Sequence, residues 1–252
     1  MSMDIKNGLL FNSTNIDFFA RKHVIYTNIN HDSEYYGLGE VISPFFTYND
    51  KQRIIRFLSS ESSGIFEQAA SEESNFTFLN NFPFDDPLKE HSRRVSDLTV
   101  SLGKALNLNQ EHLIELKIAG LLHDMGKVFI SNEILDKKGV LSDEEWKIVK
   151  THTVIGYELL SHMEKYKNIA KYARSHHERI DGKGYPDGMK GEDIPLGARI
   201  IAVVDAYEAM TELRPYRKPF SQRVAIKELR KNSGTQFDKR IVEVFIKKVL
   251  GR

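Results

Sequence analysis

From about residue 88 onward, apolar residues recur at the three- and four-residue spacing of helices buried on one face. His91, Val95, Leu98 and Leu102 share a stripe, and Glu111 to Met125 forms a second run that Gly126 ends. Ser142 and Glu145 make a capping box ahead of a third run, whose inner face carries Ile148, His152, Ile155 and Leu159. Asn168 to Glu178 gives a fourth, and Pro195 opens a fifth with Ile201, Asp205 and Ala209 in register. SQRVAIKELRKN and GTQFDKRIVEVFIKKVL supply two more amphipathic stretches, separated by a glycine break. The pattern predicts an all-α fold, a bundle of about seven helices over 76–252. Residues 1–75 show mixed periodicity that assigns no fold, and SSESSGIFEQAASEESN (59–75) reads as a polar helix end or linker. The expected organisation is a functional domain at 76–252 behind an N-terminal region, 1–75, that senses a signal, dimerises or buttresses the helices.

Several polar residues break the apolar pattern. His91, His152 and Asp205 lie on inner stripes, His123-Asp124 interrupts LKIAGLLHDM, and His176-His177 precede a glycine-rich loop. A lone histidine on an apolar face is usually a core residue bonded to a carbonyl. Five imidazoles and two carboxylates are another matter, because each buried unpaired polar group costs several kcal/mol. A divalent metal cluster is the common partner that offsets such costs. Neighbours on a helix point about 100° apart, so each adjacent pair can reach two different positions. A carboxylate can bridge two cations and an imidazole normally binds one, which makes Asp124 the natural bridge. Two ions about 3.5 to 4 Å apart aim a hydroxide at phosphorus, so the implied chemistry is metal-assisted phosphoester hydrolysis. His23, His31, His112 and His162 lack the pattern and read as surface or structural residues.

Composition narrows the ligand chemistry. The 252 residues contain no cysteine, which excludes thiolate sites, iron–sulfur clusters and cysteine nucleophiles. Nitrogen and oxygen donors in a mixed set of this size suit Fe or Mn best, with Mg, Ni and Zn as alternatives. Thirty-six basic against 35 acidic side chains leave a formal charge of +1, so no global field draws in polymeric nucleic acid or an anionic membrane. No stretch approaches the length of a membrane span, and the start of the chain lacks the apolar run of a signal peptide. The expectation is a cytoplasmic protein.

HSRRV (91–95), LLHDMGK (121–127), THTVIGYELL (151–160), HHERIDGKGYP (176–186), ARIIAVVDAYEAM (198–210), LRPYRK (213–218) and GTQFD (234–238) together closely resemble the HD-GYP family, a branch of the HD phosphohydrolases. The resemblance implies an HD-type helical domain that hydrolyses cyclic di-GMP, a bacterial second messenger, to linear pGpG or GMP at a cluster of Fe or Mn ions. Some members cleave a cyclic GMP-AMP dinucleotide instead, and a weakly active adaptor that binds the dinucleotide is a third reading. A homodimer or a regulatory partner would engage the N-terminal region.

Carried over residue by residue, the family's metal ligands fall on His91, His123, Asp124, His152, His176, His177 and Asp205. Lys127, Tyr185 and Arg214 match substrate-contacting positions, with Lys127 and Asp124 catalytic and Arg217 and Lys218 adding local positive charge. If Gly126 adopts a left-handed conformation it stops the helix and turns Lys127 back toward the metals, where an ammonium stabilises a pentacoordinate phosphate or protonates a departing oxygen. Arg214 offers phosphate a planar fork. The glycines of DGKGYPDG permit tight turns that present Tyr185 either to substrate or to the domain as a packing plug, and Asp181 and Asp187 read as turn residues. Members with three metals carry a glutamate four residues before the first motif histidine. Here that position is Pro87, so the resemblance implies two ions, with Asp124 bridging His91, His123 and Asp205 to His152, His176 and His177.

Overall fold

The computed structural model describes residues 86–212 and 218–252, with residues 86 and 87 described by their backbone alone. Among them the chain forms eight α-helices: α1 Asp86–Ala105, α2 Gln110–Leu122, α3 Asn132–Leu135, α4 Asp143–Ser161, α5 Lys167–Ser175, α6 Leu196–Thr211, α7 Gln222–Lys231 and α8 Lys239–Val244. A 3₁₀ turn covers Met125–Phe129, and a π-turn at Phe245–Val249 extends α8. The described residues contain no strand, and Ser233 and Phe237 form an isolated bridge. The all-α expectation holds, with α3 added to the seven helices read from the sequence.

Local chemistry sets the helix starts. Asn109, Ser131, Ser221 and Asp238 each accept a backbone N–H at a helix N-terminus, and Ser142 and Glu145 form the reciprocal capping box that begins α4. Two helix ends differ from the periodic reading. α2 stops at Leu122 instead of Met125, and α5 stops at Ser175 instead of Glu178, so both adjacent site pairs leave their helices.

The core runs through Leu102, Leu122, Phe129, Ile155, Leu160, Tyr166, Val203 and Phe245, all at most 2% exposed. α1 packs along α2 and α6, while α4 packs against α5 and the Met125–Phe129 turn. The C-terminal ends of α2 and α5 therefore meet the middles of α1, α4 and α6. Gly126 corrects a local expectation. Its φ is not positive, and it stands in the turn because a Cβ there would lie 2.0 Å from the His152 carbonyl oxygen. The turn and α4 touch backbone to backbone.

The N-terminal region 1–75, its 59–75 segment, His23, His31, Arg214 and Arg217 lie outside the described residues, as do the side chains of Asp86 and Pro87. No described helix is long and apolar enough to cross a membrane.

Candidate metal centre

The seven polar positions converge, five of them buried and His177 and Asp205 half-buried. Asp124, His152, His176 and His177 offer ligand atoms within 4.8 Å of one another, and His91, His123 and Asp205 form a second such group. α1 contributes His91, the exit of α2 contributes His123 and Asp124, α4 contributes His152, the exit of α5 contributes His176 and His177, and α6 contributes Asp205. The five imidazoles lie in one array, with ring centroids 4.0 Å apart for His176–His177 and 5.1 Å apart for His123–His176.

Asp124 sits between the two groups and divides its oxygens between them. Oδ1 faces His152 Nε2 at 3.4 Å and His176 Nε2 at 3.8 Å. Oδ2 faces His123 Nε2 at 3.4 Å and His91 Nε2 at 3.8 Å. Asp205 Oδ1 approaches His91 Nε2 to 3.3 Å and His123 Nε2 to 3.9 Å. Lys127 Nζ pairs with Asp124 Oδ2, so the ammonium already lies against the proposed bridge.

A carbonyl can only accept, so a ring nitrogen facing one must carry the proton. His123 Nδ1 donates to Gly120 O at 2.9 Å, His152 Nδ1 to Val149 O at 2.6 Å and His176 Nδ1 to Ala173 O at 2.7 Å. In a neutral imidazole such a bond leaves Nε2 as the free lone pair. At the exits of α2 and α5 the same bonds satisfy carbonyls that a helix end strands, while His152 makes its bond within α4. His123 Nε2, His177 Nε2 and Asp124 Oδ1 are buried with no hydrogen-bond partner. Buried lone pairs aimed at one another are costly unless a cation accepts them, so these residues fit a divalent metal centre.

Charge follows the same division. Burial drives the pKa of His152 down to about 4 and of His176 down to about 3, and His177 falls well below the usual imidazole value. Burial also opposes charge on His91, but the Glu208 and Asp205 carboxylates outweigh it and push that imidazole up to about 10. Despite their burial, Asp124 is held well below the usual carboxylate range by Lys127 and His123, and Asp205 is likewise lowered by His91.

The GYP loop closes over the His152 side. Tyr185 is 7% exposed, and its ring stacks on His177 with centroids 4.9 Å apart. Trp146 meets it edge-on at 5.9 Å, and Lys150 Nζ lies 5.2 Å from its centroid. Gly182 and Gly188 take φ of +78° and +67° at the turns, and the Tyr185–Pro186 peptide is cis. Glu178, read from the sequence only as a helix end, braces this loop by accepting the Asp187 and Gly188 N–H groups at 2.7 and 3.0 Å. Asp187 pairs with Arg174 and Asp181 with Arg179, in keeping with turn roles. The GTQFD segment supports the loop's other strand of chain, through Ile180 N to Gln236 O and Asp181 N to Thr235 O. Lys218 is exposed, and so are His112 and His162.

Sequence reading also missed Glu208. It is 3% exposed, one turn beyond Asp205 on α6, and it accepts from His91 Nδ1 at 2.5 Å and from Arg94 Nε at 2.6 Å. A second charged residue inside the apolar run VVDAYEAM is the signal that marks it. His91, Glu208 and Glu212 form a third cluster of donor atoms, but the Arg94 guanidinium pairs with both carboxylates and fills the place of a cation.

The HD domain family model matches residues 84–241, which include all seven convergent residues. The chain belongs to the HD domain family. Its GYP loop at 184–186 places it on the HD-GYP branch. It is 34% identical over 206 residues to a cyclic di-GMP phosphodiesterase of Thermotoga maritima, covering 76% of this chain and 56% of that protein. It is 40% identical over 140 residues to a 3'3'-cGAMP-specific phosphodiesterase of Vibrio cholerae, covering 55% of this chain and 30% of that protein. The chain thus spans about half the length, or less, of these curated relatives. An HDG"Y"P protein of Bdellovibrio bacteriovorus shares the fold, with a TM-score of 0.55 and 18% identity over 81% of this chain and 63% of that one.

Proposed function

We propose that the chain is a metal-dependent cyclic dinucleotide phosphodiesterase that opens cyclic di-GMP to linear pGpG or on to GMP. The observation that carries this reading is the buried pair of ligand groups joined by the two oxygens of Asp124. His91, His123 and Asp205 would hold one ion, and His152, His176 and His177 the other, with Asp124 shared. Fe or Mn suits this nitrogen and oxygen set. Two ions match the proline at position 87, whose side chain offers no ligand atom where three-metal members carry a glutamate. Bound divalent ions supply Lewis acidity and a nucleophile at neutral pH.

The chain's own residues do the rest. The i−3 carbonyl bonds hold three imidazoles in the tautomer that presents Nε2. Lys127, with its side chain 16% exposed beside Asp124, places positive charge where a phosphorane forms and a proton within reach of the departing oxygen. Arg214, Arg217 and Lys218 would grip phosphate oxygens, and Tyr185 would add a contact from the loop. The cytoplasm and a homodimer or regulatory partner at residues 1–75 complete the proposal.

Similarity to the Vibrio cholerae enzyme supports a second substrate reading, 3'3'-cGAMP. The test is elemental analysis of anaerobically purified protein, followed by product chromatography with each dinucleotide. Two equivalents of Fe or Mn and a linear product from cyclic di-GMP are expected. Metal-loaded protein that leaves both dinucleotides intact, or metal-free protein that still opens either one, refutes the proposal.

A further inference from the structure

Four of the five imidazoles have a located Nδ1 partner, and one of those partners is unlike the rest. His123, His152 and His176 donate to neutral carbonyls of their own helices. His91 instead donates to Glu208, a carboxylate 117 residues away and 3% exposed. Glu208 has no freedom to leave. Its other oxygen accepts from Arg94 Nε at 2.6 Å, and Arg94 also pairs with Glu212 and with Glu90, the latter at 3.0 Å. His91 and Arg94 are one turn apart on α1, as Asp205 and Glu208 are on α6, so the two helices face each other through two rungs of charge.

A carboxylate behind an imidazole fixes the ring's orientation and raises the donor strength of the opposite nitrogen, more than a neutral carbonyl does. We infer that Glu208, clamped by Arg94, is a positioning residue that supports the ion at His91, His123 and Asp205 and not the ion at His152, His176 and His177. The inference rests on the metal reading above and divides that centre into two unequal halves. One half has an anionic outer partner on a neighbouring helix. The other relies on backbone carbonyls for His152 and His176 and on the Tyr185 stack for His177.

The test titrates cobalt(II) anaerobically into the chelator-stripped full chain and follows its visible absorption, metal stoichiometry and circular dichroism. Wild type should take up two ions. In Glu208→Ala one ion should weaken by about 10- to 100-fold while the other keeps its wild-type affinity. The weakened band should be the band that His91→Ala removes. Glu208→Gln should fall between, since its amide oxygen still accepts the Nδ1 proton without the charge. Arg94→Ala should shift the same band less than Glu208→Ala, because it frees the clamp and leaves the carboxylate.

Two wild-type affinities in both Glu208 variants would overturn the inference while leaving the metal centre standing. Equal weakening of both ions with a lower melting temperature would also overturn it, by making Glu208 a general structural residue. A wild-type chain that binds no cobalt would instead remove the metal reading itself.

Discussion

Replacing Gly126 with alanine tests how the two halves of the centre are held at their spacing. A Cβ at this position would sit 2.0 Å from the His152 carbonyl oxygen, 2.7 Å from its carbon and 2.9 Å from Gly156 N. All three atoms are backbone, so no side chain can swing aside. Ordinary contact begins at 3.4 Å, and 3.4 minus 2.0 means that α4 and the Met125–Phe129 turn must part by 1.4 Å. Overpacking of this kind costs about 1–3 kcal/mol of stability. Function should suffer more than folding. Asp124 precedes the turn and His152 lies on α4, so the separation falls between the bridge and one of its proposed ion's ligands, where distances hold to about 0.2 Å. Misplacement of about 1 Å can cost a hundredfold in rate. The assay is thermal melting by circular dichroism, metal content by elemental analysis, and turnover of cyclic di-GMP. A folded Gly126→Ala protein should melt lower, bind less than two ions and lose at least a hundredfold in activity. Two tightly bound ions at wild-type activity would refute the backbone-contact argument.

Asp124→Ala should lower bound metal by more than one site, with Asp124→Asn as the shape-preserving control; full metal content in the alanine variant would refute the bridge. Tyr185→Phe keeps the ring on His177, so metal content should stay at wild type while KM rises, whereas Tyr185→Ala should also lower metal occupancy. Unchanged kinetics in the phenylalanine variant would return Tyr185 to packing alone. Stability of the chelator-stripped protein should peak near pH 6.5, the unfolded imidazole value. Below that pH the unfolded chain binds more protons than the fold, because His152 and His176 titrate at about 4 and about 3, so stability falls as pH falls. Above it the fold binds more protons, because His91 titrates at about 10, so stability falls as pH rises. A melting temperature that climbs steadily from pH 6.5 to 4 would contradict these assignments.

Periodicity exposed the helices because each buries one face, and it exposed His91, His152 and Asp205 because they break that face. The same reasoning overran α2 and α5, since Met125 and Glu178 are buried beyond the helix ends and a buried residue extends the pattern whether or not it is helical. His123 and His176 bond carbonyls at those ends, as His152 does inside α4. Gly126 was legible as a special position but for the wrong reason: its contact with His152 is tertiary, and no local signal separates close approach from a left-handed turn. Glu208 carried the signal of a charge inside an apolar run, but Arg94 did not, since an Arg on a helix ordinarily faces water. Their pairing depends on α1 meeting α6, which sequence spacing does not encode. Glu178 escaped for a similar reason, as its partners are backbone N–H groups of the loop.

The order of the site residues along the chain sets the order in which a ribosome can complete the centre. Asp124, His152, His176 and His177 are all synthesised once residue 177 is made, whereas His91 waits for Asp205 and Glu208, the latter 117 residues downstream. At about 5–20 residues per second, that wait lasts roughly 6 to 23 seconds. During it α1 has no α6 to close against, and His91 has no carboxylate behind it. The residues of the half built from Asp124, His152, His176 and His177 are therefore all present in the nascent chain first, and those of the half that depends on Glu208 are present last.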